Sequence, residues 1–370
     1  MVKVLFRTDA STRIGTGHVM RCLTLARALR EKGAECAFVG REHPGNVFDL
    51  LGKEDFTTHR LPVPHKLVET NENSNTPRTD YAAWLGVTSE QDASDCLAVI
   101  GRSQPDWLVV DHYALDATWE KVLKPHVSKI MVIDDLADRV HRCDVLLDQN
   151  LGRSPEDYIG RVPSHCQMMI GPHYVLLRDE FSKFRGKSLQ RRQSGQLRRI
   201  LVSLGGADQG NITSVVIAAL EASSLPDATI IDIVVGGACP HCEVIIEQSS
   251  QSRFETSVSV NVSDMAMRMA DADLAIGAAG GTTWERFCMG LPALLISLAK
   301  NQEQFLEPLM ESGAIRFTEV SNLKEEIEFF CKEVHQFPEK LIEMSEKAAL
   351  LIDGKGVGRV VNMVLGRKNE

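Results

Sequence analysis

The chain has 370 residues, of which 44% are hydrophobic and 25% are charged, and its formal net charge is -9. This length predicts two domains and leaves enough apolar residues for two cores. The negative charge argues against a nucleic-acid surface, and no apolar run approaches the roughly 18 residues of a membrane helix. Lys3, Arg7 and Asp9 interrupt the start of the chain, so we expect no secretory segment. The nine scattered cysteines favour reduced thiols and a cytoplasmic location.

Residues 7–26 form a predicted strand-to-helix turn. They follow an apolar run at 2–6 that is typical of a buried strand, and the helix is predicted to begin near Gly17 or His18. Gly15 and Gly17 can adopt positive φ and let a ligand approach the backbone. The free N–H groups at the start of a helix attract anions. Because such turns lie at the carboxyl edge of a parallel sheet, where ligands bind, we expect a ligand site here.

His18 is the predicted general base. The positive end of the helix and Arg21, one turn further on, both disfavour an imidazolium, and a neutral imidazole can accept a proton. A helix cap or a packed polar residue is the alternative interpretation of a histidine at this position. The neighbouring Arg7, Asp9 and Arg13 favour function, since a purely structural turn has little need for so many charges. The stretch from Arg7 to Arg21 also offers the local positive potential that an anionic ligand needs.

Three later strands are predicted to end in carboxylates or amides, at 107–113, 130–135 and 143–150. That pattern predicts a parallel sheet with one chemically active edge. For Asp116 and Asp138 we favour a helix N-cap. The consecutive residues that we favour as functional are Asp111, His112 and Tyr113. The polar residues 66–80 are predicted to form an exposed loop.

The second half of the chain restarts the alternation of strands and helices at residue 199, after a polar stretch at 183–199 that we interpret as an interdomain linker. Residues 280–283, Gly-Gly-Thr-Thr, precede a predicted helix and could cradle a phosphate. Glu285, just inside that helix, could complement its dipole or accept the hydroxyls of a ribose. Gly205 and Gly206 are a weaker phosphate candidate, and a tight turn explains them equally well.

Two other motifs are weak. Cys239 and Cys242 have the spacing of half a zinc site or of a redox pair, but no second pair lies at a suitable distance, and the motif follows a strand inside the second domain. The turn at 15–20 lacks the third glycine of a dinucleotide fingerprint, because position 20 is Met.

Five motifs together resemble the UDP-2,4-diacetamido-2,4,6-trideoxy-β-L-altropyranose hydrolases of pseudaminic acid biosynthesis. They lie at 14–23, 111–113, 133–139, 143–150 and 171–181, and the similarity runs along essentially the whole chain. The segment 280–292 is similar to the donor-site region of the related MurG-like glycosyltransferases.

The resemblance implies an α/β fold of the GT-B type, in which two Rossmann-like domains face a central cleft. We expect an N-terminal domain at 1–184 that carries the His18 turn and a UDP-binding domain at 185–345. A C-terminal helix at 346–370 is expected to cross back to the N-terminal domain.

The resemblance also implies an inverting hydrolase that needs no metal or other cofactor and that cleaves the sugar–UDP bond with water activated by His18. The expected substrate-binding residues are Arg7, Asp9, Gly17, Arg21, Tyr113 and Asn301. The expected UDP-binding residues are Gly205, Gly206, Gly280, Gly281, Thr282 and Glu285. Asp9 could orient His18 or contact the sugar, and Tyr113 and Asn301 could bind its acetamido groups.

The expected partner is a UDP-sugar, with no nucleic acid and no membrane, and we expect a monomer. Two alternatives remain at this stage: a MurG-like glycosyltransferase that uses a UDP-amino-sugar donor, and a non-catalytic protein that binds a sugar nucleotide.

Overall fold

The computed structural model describes residues 1–64, 80–297 and 303–367. The chain divides into two compact units: unit 1 contains Met1–Leu176 and Gly356–Glu370, and unit 2 contains Leu177–Lys355. Most of the predicted loop at 66–80, and Asn301, lie outside the described residues. None of the helices in the described part of the chain is long and apolar enough to cross a membrane.

Thirteen strands lie within the described residues. They are β1 (Lys3–Thr8), β2 (Glu35–Arg41), β3 (Thr57–Leu61), β4 (Trp107–Asp111), β5 (Lys129–Ile133), β6 (Val145–Asp148), β7 (Gln167–Ile170), β8 (Arg199–Ser203), β9 (Ile230–Val235), β10 (Glu255–Val260), β11 (Leu274–Ala278), β12 (Ala293–Ser297) and β13 (Ile315–Glu319).

The described α-helices connect or flank these strands. They are α1 (Gly17–Glu31), α2 (Phe48–Lys53), α3 (Ser89–Ser103), α4 (Ala117–Leu123), α5 (Asp179–Arg192), α6 (Ile212–Glu221), α7 (Cys242–Ser250), α8 (Met265–Asp271), α9 (Thr282–Cys288), α10 (Glu303–Glu311), α11 (Leu323–Gln336), α12 (Glu339–Leu351) and α13 (Gly356–Val364).

Each unit contains one parallel sheet. In the described residues, the strand order is β3-β2-β1-β4-β5-β6-β7 in unit 1 and β10-β9-β8-β11-β12-β13 in unit 2. Both sheets reverse their direction of winding beside the first strand of the unit, between β1 and β4 and between β8 and β11. Ligands of doubly wound sheets bind at the carboxyl ends of strands at such a reversal. The predicted α/β class is confirmed.

Buried strands explain why the sheets form. The central strands of unit 1 are apolar on both faces, as expected for a parallel sheet covered by helices on both sides. One apolar cluster joins one face to α1 and α13, and a second joins the other face to α3 and α4. Unit 2 has its own core, built from β8, β9, β11 and α6 with residues of α11. Each unit therefore has buried apolar residues of its own.

The structure corrects several local predictions. The polar stretch at 183–199 is largely helical, because α5 runs from Asp179 to Arg192 and buries Phe181, Ser188 and Arg192 in unit 2. The boundary between the units lies between Leu176 and Leu177. Strands β3, β7 and β13 had no clear signal in the sequence, since each is short and carries charged or polar residues.

Candidate functional site

The turn between β1 and α1 is held by its own backbone and by one serine. The Ser11 hydroxyl accepts the N–H groups of Arg13 and Ile14 at 3.1 and 2.9 Å, and the N–H of Gly15 donates to the Ser11 carbonyl at 2.8 Å. Gly15 has φ +80°, a left-handed conformation that favours glycine. The side chain of Thr16, before the helix, does not cap it. This turn leads directly into Gly17 and His18 at the start of α1.

His18 is oriented by a carboxylate from the neighbouring strand. Nδ1 of His18 lies 2.7 Å from Oδ1 of Asp111, the last residue of β4, which pairs with β1. The Asp111 side chain is fully buried and that of His18 is 11% exposed. An ionised carboxylate can only accept, so Nδ1 carries the proton and Nε2 of the neutral ring is a proton acceptor. Within the described residues Nε2 has no hydrogen-bond partner.

Arg21 fixes that carboxylate in turn. Its guanidinium donates to both oxygens of Asp111, at 2.6 and 2.7 Å, and also lies 2.7 Å from Asp135. Burial opposes ionisation of Asp111, but the charge of Arg21 and the hydrogen bonds from Arg21 and His18 hold its pKa well below the usual range. Asp111 is therefore a fixed negative charge behind the imidazole. The resulting arrangement has the logic of a histidine–aspartate pair in which the carboxylate sets the tautomer and ring orientation.

Three aromatic residues cluster near His18. The Tyr113 ring lies 4.6 Å from the imidazole, edge to face, and its hydroxyl donates to Asp135 at 2.7 Å. Trp84 stacks on Tyr113 at 5.8 Å, and Tyr81 contacts both rings. Such a surface is suited to exclude bulk water and to contact apolar groups of a ligand.

Arg7 and Asp9 lie in a separate, buried network. The Arg7 guanidinium donates to Asp9 at 2.7 Å and to Asp92 at 2.7 and 3.1 Å, and the side chains of Arg7 and Asp9 are fully buried. Arg41 donates to the same Asp92 carboxylate. Burial opposes ionisation of Asp9, but Arg7 and His112 lower its pKa. These charges neutralise one another inside unit 1, so they brace the ends of β1 and β2.

Unit 2 places its predicted residues at the ends of two adjacent strands. Gly205 and Gly206 follow β8, and Gly280 and Gly281 follow β11, which pairs with β8. Thr282 is the first residue of α9, and the buried Thr283 hydroxyl has no partner among the described residues. The loop after β8 differs because a side chain of that loop caps the helix that follows.

In that loop the helix start is already occupied. The Asp208 carboxylate accepts the N–H groups of Ile212 and Thr213 at 2.9 and 3.0 Å, which are the first two residues of α6. These groups are therefore satisfied within the chain. In the turn at 280–282, the N–H of Gly280 donates to the Ala278 carbonyl at 3.1 Å, and that of Thr283 donates to the Gly280 carbonyl at 2.8 Å. Among the described residues, the N–H groups of Gly281 and Thr282 have no such acceptor, so this turn is the better candidate for an anion.

Glu285 in α9 is mostly buried, and one of its oxygens lies 3.4 Å from the Arg178 guanidinium. Burial raises the pKa of Glu285, and Arg178 partly opposes that rise. A buried carboxylate beside the glycine turn is suited to accept hydroxyl hydrogen bonds. Within the described residues, no group of three or more His, Cys, Asp or Glu side chains has a geometry that could hold a metal ion.

The chain is similar both to a UDP-sugar hydrolase and to MurG, the two kinds of protein that its motifs resemble. No family model matches the sequence. The chain is 24% identical over 313 residues to the UDP-2,4-diacetamido-2,4,6-trideoxy-beta-L-altropyranose hydrolase of Campylobacter jejuni, which covers 84% of this chain and 97% of that protein. The structure of Acinetobacter baumannii MurG matches with a TM-score of 0.71 at 16% identity, over 99% of this chain and 100% of that chain.

The chain has the GT-B fold. A third match, the UDP-GlcNAc 2-epimerase of Neisseria meningitidis in a structure bound to UDP-GlcNAc, supports the same fold with a TM-score of 0.61 at 11% identity, over 99% of this chain and 100% of that chain. The resemblance to the hydrolases that the five motifs indicated is confirmed by the similarity to the Campylobacter protein.

Within unit 1 of this GT-B chain, the structure brings His18, Gly17, Arg21 and Tyr113 together at one sheet edge. Arg7 and Asp9 are buried and bonded to internal partners, and their role as substrate contacts stays a prediction. The carboxylate that orients His18 is Asp111 rather than Asp9, because Asp111 ends the adjacent strand.

Sequence reasoning missed Tyr81 and Trp84. Their signal was an aromatic pair with a spacing of three residues, which one turn of 3-10 helix at Asp80–Trp84 places on the same side. Asn301 lies outside the described residues.

Proposed function

We propose that the chain is a hydrolase of UDP-2,4-diacetamido-2,4,6-trideoxy-β-L-altropyranose that releases UDP and the free sugar with inversion at the anomeric carbon. The observation that carries the proposal is the hydrogen bond of 2.7 Å from Nδ1 of His18 to Asp111, which leaves Nε2 as an acceptor. Similarity to the Campylobacter hydrolase over nearly the whole of that protein supports the substrate. The coarser conclusion, that the chain is an enzyme acting on a UDP-sugar, rests on the same similarity together with the GT-B fold.

In the proposed reaction, Nε2 of His18 accepts a proton from water. The water oxygen bonds to the anomeric carbon while the bond from that carbon to the phosphate oxygen breaks, and UDP leaves with the electron pair. Attack opposite the leaving group inverts the configuration. Asp111 stabilises the imidazolium as it forms, and Arg21 holds Asp111 in place. General-base assistance of this kind is typically worth about 10²–10⁴-fold in rate.

Unit 2 is proposed to bind the nucleotide. Gly281 and Thr282 would offer backbone N–H groups to the diphosphate and stabilise the charge that develops on the leaving oxygen. Gly280, whose N–H donates to the Ala278 carbonyl at 3.1 Å, would let the diphosphate approach because it has no side chain. Glu285 would accept hydrogen bonds from the ribose hydroxyls. Gly205 and Gly206 remain in the proposal as the adjoining turn, with a smaller role because α6 is already capped by Asp208.

The proposed sugar contacts come from unit 1 and from one residue outside the described part of the chain. Gly17 offers the free backbone at the start of α1, Tyr113 presents its ring beside His18, and Asn301 would bind an acetamido group. Gly17 precedes His18 in α1, and the centroid of the Tyr113 ring lies 4.6 Å from that of the imidazole, which supports their assignment.

The deciding experiment is an NMR time course of the UDP-sugar with purified protein and EDTA, in the absence of any acceptor. We expect free sugar and UDP, with the inverted anomer formed first and no requirement for a metal. Turnover only after an acceptor is added would identify a glycosyltransferase of the MurG type. An intact substrate whose signals broaden on binding would identify a sugar-nucleotide binding protein, and either result would overturn the hydrolase proposal.

The substitution His18→Ala tests the base directly. We expect turnover to fall by at least about 10²-fold, because alanine removes the imidazole that is proposed to accept the proton from water. UDP affinity should stay unchanged, since UDP is assigned to unit 2. His126→Ala, an exposed histidine of unit 1, is the matched control and should keep full activity. Near-normal turnover in His18→Ala would show that the base is wrongly assigned.

A further inference from the structure

Two cysteines face each other at the amino ends of strands β6 and β7 in unit 1, whereas His18 follows the carboxyl end of β1. Cys143 lies two residues before β6 and Cys166 one residue before β7, and these strands are paired in parallel. Their Sγ atoms are 3.6 Å apart. Both cysteines are free thiols. The two cysteines are 23 residues apart in the sequence, so no local motif predicts this contact.

The two thiols differ in access and in acidity. Cys143 is 1% exposed and belongs to the core on the α3 and α4 side, whereas Cys166 is partly exposed at the protein surface. A hydrogen bond from the Cys143 thiol lowers the pKa of Cys166, with help from the Leu146 backbone and from His141, although burial and the charge of Asp144 oppose it. The same contact and burial raise the pKa of Cys143. Cys166 is therefore the thiol that reacts first, since the thiolate is the reactive form.

We propose that Cys143 and Cys166 form a peroxide-reactive dithiol, in which Cys166 is the attacking thiolate and Cys143 the resolving thiol. The Cys166 sulfur attacks a peroxide oxygen, an S–O bond forms, the O–O bond breaks, and hydroxide leaves. The Cys143 sulfur then attacks the sulfenic acid of Cys166, the S–O bond breaks, and water leaves. Two thiols are oxidised to one disulfide, and one hydrogen peroxide is reduced to two waters.

The geometry suits the second step. A disulfide has an S–S bond of about 2.05 Å, so the two sulfur atoms must approach by roughly 1.5 Å. The pairing of β6 with β7 already holds the two backbones side by side. Rotation of the two cysteine side chains, with a small shift of the loops before these strands, can close the remaining distance. The bond would close the segment between residues 143 and 166, which a dithiol reductant would reopen by exchange.

The test is oxidation of the full-length protein by hydrogen peroxide, followed by thiol counting and peptide mapping. We expect the count of nine free thiols to fall by two and the peptides of Cys143 and Cys166 to become linked, with full recovery on addition of dithiothreitol. Cys166→Ser should slow the early loss of thiols by about tenfold or more. If the wild-type protein yields no such linked peptide, the proposal is wrong.

A trapping reagent separates the roles of the two residues. In Cys143→Ser the sulfenic acid of Cys166 has no resolving thiol, so dimedone should label Cys166, whereas wild type should resist labelling. Cys143→Ala, which keeps the site apolar, should behave in the same way if serine disturbs the core. Cys242→Ser is the control, because Cys242 bonds to the Cys239 carbonyl at 3.3 Å in unit 2, and it should oxidise like wild type. Dimedone labelling of Cys143 in Cys166→Ser would reverse the assignment.

Discussion

His18 owes its orientation to residues that are distant in sequence. Asp111 bonds its Nδ1 from the end of β4, and Arg21 ties Asp111 to Asp135 at the end of β5. The Asp111 carboxylate is buried, so its charge is weakly screened by water and acts strongly on the imidazole. The proton on Nδ1, rather than the position of His18 on α1 alone, is what makes Nε2 available as a base.

Asp111→Asn tests this pairing. The asparagine keeps the size of the side chain but can offer an N–H to Nδ1, which favours the wrong tautomer, so we expect turnover to fall by about 10²–10⁴-fold. UDP affinity should not change. Asp138→Asn, at an exposed aspartate bonded to Arg139, is the control and should keep wild-type rates. Steady-state kinetics and calorimetric titration with UDP measure the two quantities, and an unimpaired Asp111→Asn variant would remove Asp111 from the mechanism.

A second buried histidine contributes to stability rather than to the proposed chemistry. Nδ1 of His141 lies 2.7 Å from Glu120 and Nε2 lies 3.8 Å from Asp134, with all three side chains buried. Burial alone would lower the pKa of His141, but the hydrogen bonds and charges of Asp134 and Glu120 raise it from 6.5 to about 9. The folded state therefore binds this proton more tightly than the unfolded state does.

The free energy of unfolding should reflect that difference. The contribution is complete below about pH 6.5 and is lost as the pH rises through about 9, with a total of about 3 kcal/mol. His141→Gln should therefore lose less stability than wild type between about pH 6 and pH 9.5. Urea unfolding across this range measures the slopes, and His126→Gln should retain the wild-type slope. Parallel curves for wild type and His141→Gln would contradict the prediction.

At the scale of single elements, the packing around β11 leaves no room for a side chain at Gly277. Gly277 lies next to the fully buried Arg286 of α9, whose guanidinium donates to the carbonyls of Ser203 and Ala278 at 3.2 and 3.1 Å. A Cβ atom at Gly277 would lie 2.1 Å from that guanidinium and 2.4 Å from the Ser203 carbonyl. The absence of a side chain at Gly277 lets Arg286 tie the ends of β8 and β11 together.

Gly277→Ala should destabilise unit 2 by about 3 kcal/mol, because neither the backbone nor the buried guanidinium can give way without losing hydrogen bonds. Gly281→Ala is the matched control. It has φ -54° and no atom within 4 Å of an added Cβ, so it should fold like wild type. Unfolding in denaturant, with hydrogen exchange in β8 and β11 as the readout, measures the stability of unit 2. Equal stability of the two variants would show that the site can relax.

At the scale of the whole molecule, the described sheets of the two units share the order of six strands, and the unit 1 sheet has β7 in addition. The units differ in how the chain completes them. Unit 2 is continuous, whereas unit 1 is completed by α13 after the chain has built all of unit 2. Val360, Val361 and Val364 of α13 are buried in the core that includes α1. Helix α13 is therefore part of the fold of the unit that carries His18.

A truncation after Lys355 should separate the stabilities of the two units. Unit 1 loses three buried valines, each worth about 1.5–3 kcal/mol, so it should be destabilised by several kcal/mol. Unit 2 should retain its stability, since its core contains no residue after 355. Hydrogen exchange in β1 and in β8 measures the two effects. A truncation after Arg367 is the control, and similar protection of β1 in both truncated proteins would contradict the prediction.

The alternation of strands and helices could be predicted from the sequence because it depends on local periodicity and on glycine turns. The start of α1 at Gly17, the helix at Ser89–Ser103 and the polar ends of β4, β5 and β6 all follow from short-range patterns. Strands β3, β7 and β13 did not, because they are short, half-polar strands at the edges of the sheets, and each is stabilised by pairing with the strand before it in the chain.

By itself the sequence determined the α/β class, the two cores, the position of His18 at a helix start and the family resemblance. Only the tertiary structure decided which carboxylate meets His18, that Arg7 and Asp9 are buried, and that Cys143 touches Cys166. The reason is that charges and thiols carry no periodicity of their own. Their partners are set by strand order and register, which long-range packing of the buried faces selects.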